Sequence, residues 1–131
     1  MNRQVASLPG DRILLRGLVF YGYHGVNPEE QKLGQRFRVD LTLWADLQTA
    51  AASDALDDTI SYATVYEQVR AILEGAPSRL LEHVAGRIGQ ALLADPRVAR
   101  VRVRILKRDP PIPAMATGQA GVELVFDRPT T

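Results

Sequence analysis

The sequence predicts an α+β fold of order ββααββ, a four-stranded antiparallel sheet with two helices on one face. Three observations carry that prediction. Apolar residues alternate with period two at both ends of the chain, at 37–47 and 101–105. Between Asp57 and Pro96 the apolar spacing changes to three and four residues, the period of a helix. The reverse face of the clearest strand is charged, as in an antiparallel sheet covered on one side only.

The elements follow in order. From Arg12 to Tyr23 branched and aromatic residues predict a strand broken or bent near Gly17 and ended by Gly22 and Gly25. In the second strand Phe37, Val39, Leu41, Leu43, Ala45 and Leu47 face away from Arg36, Arg38, Asp40, Thr42, Trp44 and Asp46. Val65, Val69, Ile72 and Leu73 form the apolar stripe of a helix capped by Ser61 and ending near Gly75. A second helix is expected to open at Pro77-Ser78, to bury Leu81, Ala85, Ile88 and Leu92, and to stop at Asp95-Pro96. Strands over Val98 to Leu106 and Gly121 to Phe126 complete the sheet. Such a sheet leaves its second face and its edges bare, and edge-to-edge association of subunits into a closed barrel would cover the edges.

The 131 residues suit one domain, 1–131, with flexible tails at 1–10 and 129–131. The chain has no cysteine, which excludes disulfides, cysteine-ligated zinc and cysteine nucleophiles. Met1 to Asp11 has neither an apolar run nor a small-residue cleavage site, and no stretch is long enough to span a bilayer. A soluble, cytoplasmic protein without membrane contact is the expectation. With 16 basic and 15 acidic residues the formal charge is +1, so no global field favours nucleic acid. The local crowding of Arg97, Arg100, Arg102, Arg104, Lys107 and Arg108 could form an RNA platform, but no aromatic residue interleaves them, and their spacing of two fits the wet face of a strand.

Lys107 is the first candidate for chemistry. It stands where a strand runs into Arg108-Asp109-Pro110-Pro111-Ile112-Pro113, a stiff turn that ends sheet pairing because proline has no N–H. An ammonium group held there by rigid backbone is better placed for proton transfer than one on a helix surface. The plain alternative is a solvated lysine beside a turn. His24 and His83 lack a chelating spacing and read as hydrogen-bonded structural residues, so no metal site is expected.

Four polar spots stand at element ends: Tyr21-Gly22-Tyr23-His24-Gly25 with Glu29-Glu30, Ser61-Tyr62, Leu80-Leu81-Glu82-His83, and Lys107 ahead of Pro110. In this order, and with Gly34-Gln35, Phe37 and Val39-Asp40, the chain from Asp11 to Phe126 resembles dihydroneopterin aldolase. The resemblance implies the tunnelling fold, in which ββααββ subunits form a barrel ring, usually two tetrameric rings stacked as a homo-octamer with active sites at subunit boundaries. It implies retro-aldol cleavage of a pterin, 7,8-dihydroneopterin, in tetrahydrofolate biosynthesis, with no cofactor and no metal, and with 2′-epimerisation as a side activity. By family position Lys107 is the general acid/base. Leu81 and Glu82 hold the pterin, the Glu82 carboxylate matching its paired N–H donors. Tyr62 comes from the adjoining subunit as a second catalytic residue, to lie against the ring and share the catalytic water, and Glu30, or its neighbour Glu29, lies near the substrate's hydroxyls and Lys107. A dihydroneopterin triphosphate epimerase and a non-catalytic pterin- or purine-binding oligomer remain as alternatives.

Overall fold

Period-two burial builds the sheet. The computed structural model describes residues 8–113 and 118–129, so the expected tails fall mostly outside the described residues. Strands β1 (Arg12–Gly22), β2 (Gln35–Trp44), β3 (Arg100–Lys107) and β4 (Ala120–Asp127) pair antiparallel in the order β1-β2-β3-β4. Among the described residues β1 and β4 are the sheet edges. The predicted break at Gly17 is a β-bulge between Leu15 and Leu18. Gly17 has φ +70°, a conformation that a side chain would strain, and its N–H donates to Asp40 Oδ1 at 2.6 Å.

Two long helices cover one face. Helix α3 (Tyr62–Leu73) begins where Ser61 Oγ accepts the Thr64 N–H at 3.4 Å, as its capping role predicts. Helix α4 (Leu81–Leu93) runs back alongside it. Between sheet and helices Phe37, Val39 and Leu41 from β2 meet Val69 and Leu73 from α3 and Val84 and Ile88 from α4, all fully buried. Each such side chain contributes roughly 1.5–3 kcal/mol by leaving water.

Four expectations need correction. Helix α4 starts at Leu81 rather than at Pro77-Ser78, because Ser78 is held in an extended connection by contacts to His24 and Gly25. The second strand ends at Trp44; beyond it the Ala45 N–H donates to the Asp11 carbonyl and the Leu47 N–H to the Asp11 carboxylate. Its reverse face is wet only in part, at Arg36 and Arg38. Asp40, Thr42 and Trp44 are buried, Asp40 under the bulge and Trp44 beneath the guanidinium groups of Arg100 and Arg102 at 5.6 and 5.3 Å. Lastly, short helices α1 (Pro28–Leu33) and α2 (Gln48–Ser53) and a 3-10 turn (Leu56–Asp58), unexpected from periodicity, fill the connections flanking β2.

The basic stripe is largely neutralised within the chain. Arg97 pairs with Asp95, Arg100 with Asp127 and Arg104 with Glu123 across the sheet or its end. This arrangement suits the wet strand face better than a nucleic-acid platform. None of the described helices is long and apolar enough to cross a membrane.

Candidate active site

Lys107 continues the core-facing side of β3, two residues beyond buried Ile105 and paired with Phe37. Its Nζ donates to Glu30 Oε2 at 2.5 Å, and the two side chains are only 14% and 8% exposed. Arg104, on the opposite parity, is occupied by Glu123 and does not share this side of the sheet.

Helix α1 is what brings Glu30 to Lys107. Asn27 caps it, Pro28 opens it with φ already suited to a helix, and Glu30 in its first turn reaches back so that Oε1 accepts the Asn27 N–H at 3.2 Å. Tyr21 OH donates to the carbonyl of Leu33 at the other end of α1. Gln35 Nε2 donates to Glu30 Oε2 at 3.1 Å. The two adjacent glutamates differ in their settings: Glu30 is buried and bonded, while Glu29 is exposed. Burial pushes the Glu30 carboxyl up, but the Lys107 hydrogen bond and charge, the Asn27 N–H and the Gln35 amide outweigh it and hold the group below the usual carboxylate range.

His24 lies behind the pair, fully buried, with its ring 5.5 Å from that of Phe37. Its Nδ1 accepts the Ser78 N–H at 2.9 Å, so the proton sits on Nε2, which donates to the Leu73 carbonyl at 2.8 Å. Burial chiefly lowers its pKa; the Leu73 carbonyl opposes this, and the charges of Arg87 and Lys107 add to it. The structural reading of His24 therefore holds. Helix α4 starts a few residues beyond Ser78, which brings its first turn to the end of the sheet occupied by Glu30 and Lys107. There Leu81 is buried and Glu82 is exposed. In the single chain Leu81 points to the core and Leu80 is itself half exposed, so neither covers Glu82. His83 is also exposed.

Tyr62 is at the other end of the molecule. Leu73 closes α3 against His24, and Tyr62 opens it about 17 Å away at 1.5 Å per residue. The start of α3 lies instead beside Leu43 and Val98, where a groove of about 490 Å³ is lined by Ser61, Thr64, Val65 and Arg97. Along β2 the distance from Phe37, opposite Lys107, to Leu43 is about 20 Å. Tyr62 is 69% exposed and cannot reach Lys107 of its own chain. The chain thus gathers Glu30, Lys107 and the α4 turn with Leu81 and Glu82 at one end, and presents Tyr62 at the other.

The sequence profile of the dihydroneopterin aldolase family matches residues 13–125. The chain belongs to that family. It is 48% identical over 119 residues to dihydroneopterin aldolase of Streptococcus pyogenes, covering 90% of this chain and 99% of the relative. It is 40% identical over 131 residues to dihydroneopterin aldolase 2 of Arabidopsis thaliana, covering 99% of each. In three dimensions it is similar to E. coli dihydroneopterin aldolase in complex with neopterin, with a TM-score of 0.80, 32% identity and coverage of 88% of this chain and 98% of that one.

Two supports of the site were not singled out from the sequence of this dihydroneopterin aldolase family member. The run Asn27-Pro28-Glu29-Glu30 is a helix-start signal that identifies Glu30 as the inward carboxylate, and it could have been read. Gln35 carries no such signal. It holds Glu30 through Nε2, while its Oε1 is buried without a hydrogen-bond partner among the described residues.

Proposed function

We propose that the chain is a 7,8-dihydroneopterin aldolase that releases 6-hydroxymethyl-7,8-dihydropterin and glycolaldehyde, with 2′-epimerisation as a side activity. The observation that carries this reading is the buried Lys107–Glu30 pair at the end of the protomer where α4 presents Glu82. The C6=N5 imine of the dihydropterin accepts the electrons of the breaking C1′–C2′ bond, so the protein has to bind the ring and move protons. Glu82 grips the 2-amino and N3 donors of the pterin with both carboxylate oxygens, beside Leu81.

Lys107, through a water, removes the 2′-hydroxyl proton as the C1′–C2′ bond breaks. The electron pair passes to C6=N5, N5 takes a proton, and an enamine results. Protonation at C1′ with loss of the N5 proton then gives the hydroxymethyl product. Recombination with the aldehyde on its other face gives the epimer. Glu30 keeps Lys107 aimed at the substrate's hydroxyls and accepts from them. No lysine Schiff base and no metal takes part in this scheme.

Tyr62 of an adjoining subunit covers the pterin face, a role that suits a ring with one polar tip. Its separation from Lys107 within one chain and the bare edges of β1 and β4 support a site shared between subunits of a barrel ring, with two tetrameric rings forming an octamer. We also read the 131 residues as one domain of a cytoplasmic enzyme. Incubation with 7,8-dihydroneopterin tests the function. Glycolaldehyde must appear in step with the hydroxymethylpterin, and epimer formed from the triphosphate with free dihydroneopterin left whole would replace the aldolase reading by that of an epimerase.

A further inference from the structure

Helix α4 has no cap of its own. The residue before its first turn is Leu80, whose side chain offers no acceptor to the free N–H groups, so the helix start is not fixed by local chemistry. Nearby Ser78 is instead held at all three of its polar groups. Its N–H donates to His24 Nδ1 at 2.9 Å, its carbonyl accepts the Gly25 N–H at 3.0 Å, and its Oγ accepts from Arg87 Nη1 at 3.0 Å. Arg87 also donates to the Ala76 carbonyl at 3.0 Å. Both His24 and Ser78 are buried. Gly25 is packed directly onto Glu30, since a Cβ there would stand 2.5 Å from Glu30 Cδ. Short, directed contacts therefore connect the segment leading into α4 to the carboxylate that holds Lys107.

We infer that His24 and Arg87 are positioning residues for the pterin site, clamping Ser78 from two sides so that the α4 turn bearing Glu82 stands at a fixed distance from the Glu30–Lys107 pair. The inference rests on Glu82 being the pterin anchor. The clamp sets where the ring is held and does not enter the proton transfers, so loosening it raises KM more than it lowers kcat. It also requires neutral His24, because a protonated Nδ1 could no longer accept the Ser78 N–H. The charges nearest the imidazole, Arg87 on α4 and Lys107 on β3, both oppose its protonation; β2 presents the uncharged ring of Phe37 and α3 the Leu73 carbonyl.

The test is steady-state kinetics with 7,8-dihydroneopterin on His24→Asn, His24→Gln, Arg87→Met and Glu82→Gln, with a melting temperature for each. The His24→Asn substitution would place an amide oxygen near the position of Nδ1 and keep the Ser78 contact, so that variant should keep KM within about twofold. His24→Gln and Arg87→Met should raise KM about tenfold with kcat changed less than about threefold, in line with the sensitivity of bound geometry to sub-ångström displacement. As pH falls below the ordinary histidine range the wild-type KM should rise, and His24→Asn should lack that limb. The proposal is overturned if Glu82→Gln weakens binding while His24→Gln and Arg87→Met bind like wild type. It is equally overturned if kcat and KM in all variants follow only the melting temperature, with no recovery in His24→Asn. Unchanged binding in Glu82→Gln would remove the anchor itself, a failure distinguishable from that of the clamp.

Discussion

Replacing Glu30 by glutamine keeps shape and removes charge. The side chains of Glu30 and Lys107 are 8% and 14% exposed and meet at 2.5 Å, so solvent screens them little. Leaving one member of such a pair unpartnered costs about 3 kcal/mol, at the low end for buried pairs because both groups lie at the mouth of the sheet. For a chain of this length that lowers the melting temperature by about 10 °C. A cycle of Glu30→Gln, Lys107→Met and the double variant, each melted at the same protein concentration, isolates the coupling. The double variant should lie closer to wild type than the sum of the single losses, with coupling of about 2 kcal/mol. The pH dependence follows from the depressed Glu30 pKa. Stability from the pair is fully present above the unfolded glutamate's pKa and is lost as pH falls through the lower folded value. Acidification below about pH 5 should therefore cost wild type more stability than Glu30→Gln. Coupling under about 0.5 kcal/mol, or identical acid limbs in the two proteins, would refute the claim that the pair is shielded from water.

Other outcomes follow from the same geometry. Lys107→Ala should lower turnover by about 10²- to 10⁴-fold while pterin affinity falls modestly, measured by single-turnover kinetics and direct binding. Lys107→Ala and Tyr62→Ala proteins, each nearly inactive, should regain partial activity when unfolded together and refolded, because some mixed boundaries carry both wild-type residues; activity that stays at the level of the parents would argue for sites within one chain. Gly17→Ala should destabilise by about 1 kcal/mol or more in denaturant titration, since φ +70° is strained for alanine. Turnover should survive exhaustive chelation of divalent ions and remain unchanged when zinc or magnesium is added back.

Legibility in the sequence followed the strength of each physical signal. The alternation of Val101, Val103 and Ile105 and the stripe Val65, Val69, Leu73 each name one buried face, so strands and helices could be read with their order. Trp44 and Asp40 were misjudged because polarity was taken for exposure: a tryptophan under two guanidinium groups and a carboxylate receiving a bulge N–H are both satisfied while buried. The start of α4 was misplaced because Pro77-Ser78 looks like a helix opening, whereas Ser78 spends its polar groups on His24, Gly25 and Arg87. At the site, Lys107 is marked by its place ahead of the proline turn and Glu30 by the family likeness, while their contact across 77 positions of sequence has no local signature. Gln35 stands only five positions beyond Glu30, but no residue pattern marks it as a donor to that carboxylate.

The side of the sheet on which Lys107 emerges has a cost and a benefit for evolution. Because it shares parity with Val101, Val103 and Ile105, a one-residue slip of the whole of β3 against its neighbours would swing the ammonium group to the far side, among the arginines. The same slip would carry three aliphatic side chains out of the interior. Oil-and-water sorting therefore proofreads the reactive group, and a frameslip that ruined turnover would already have been rejected as a chain unable to fold.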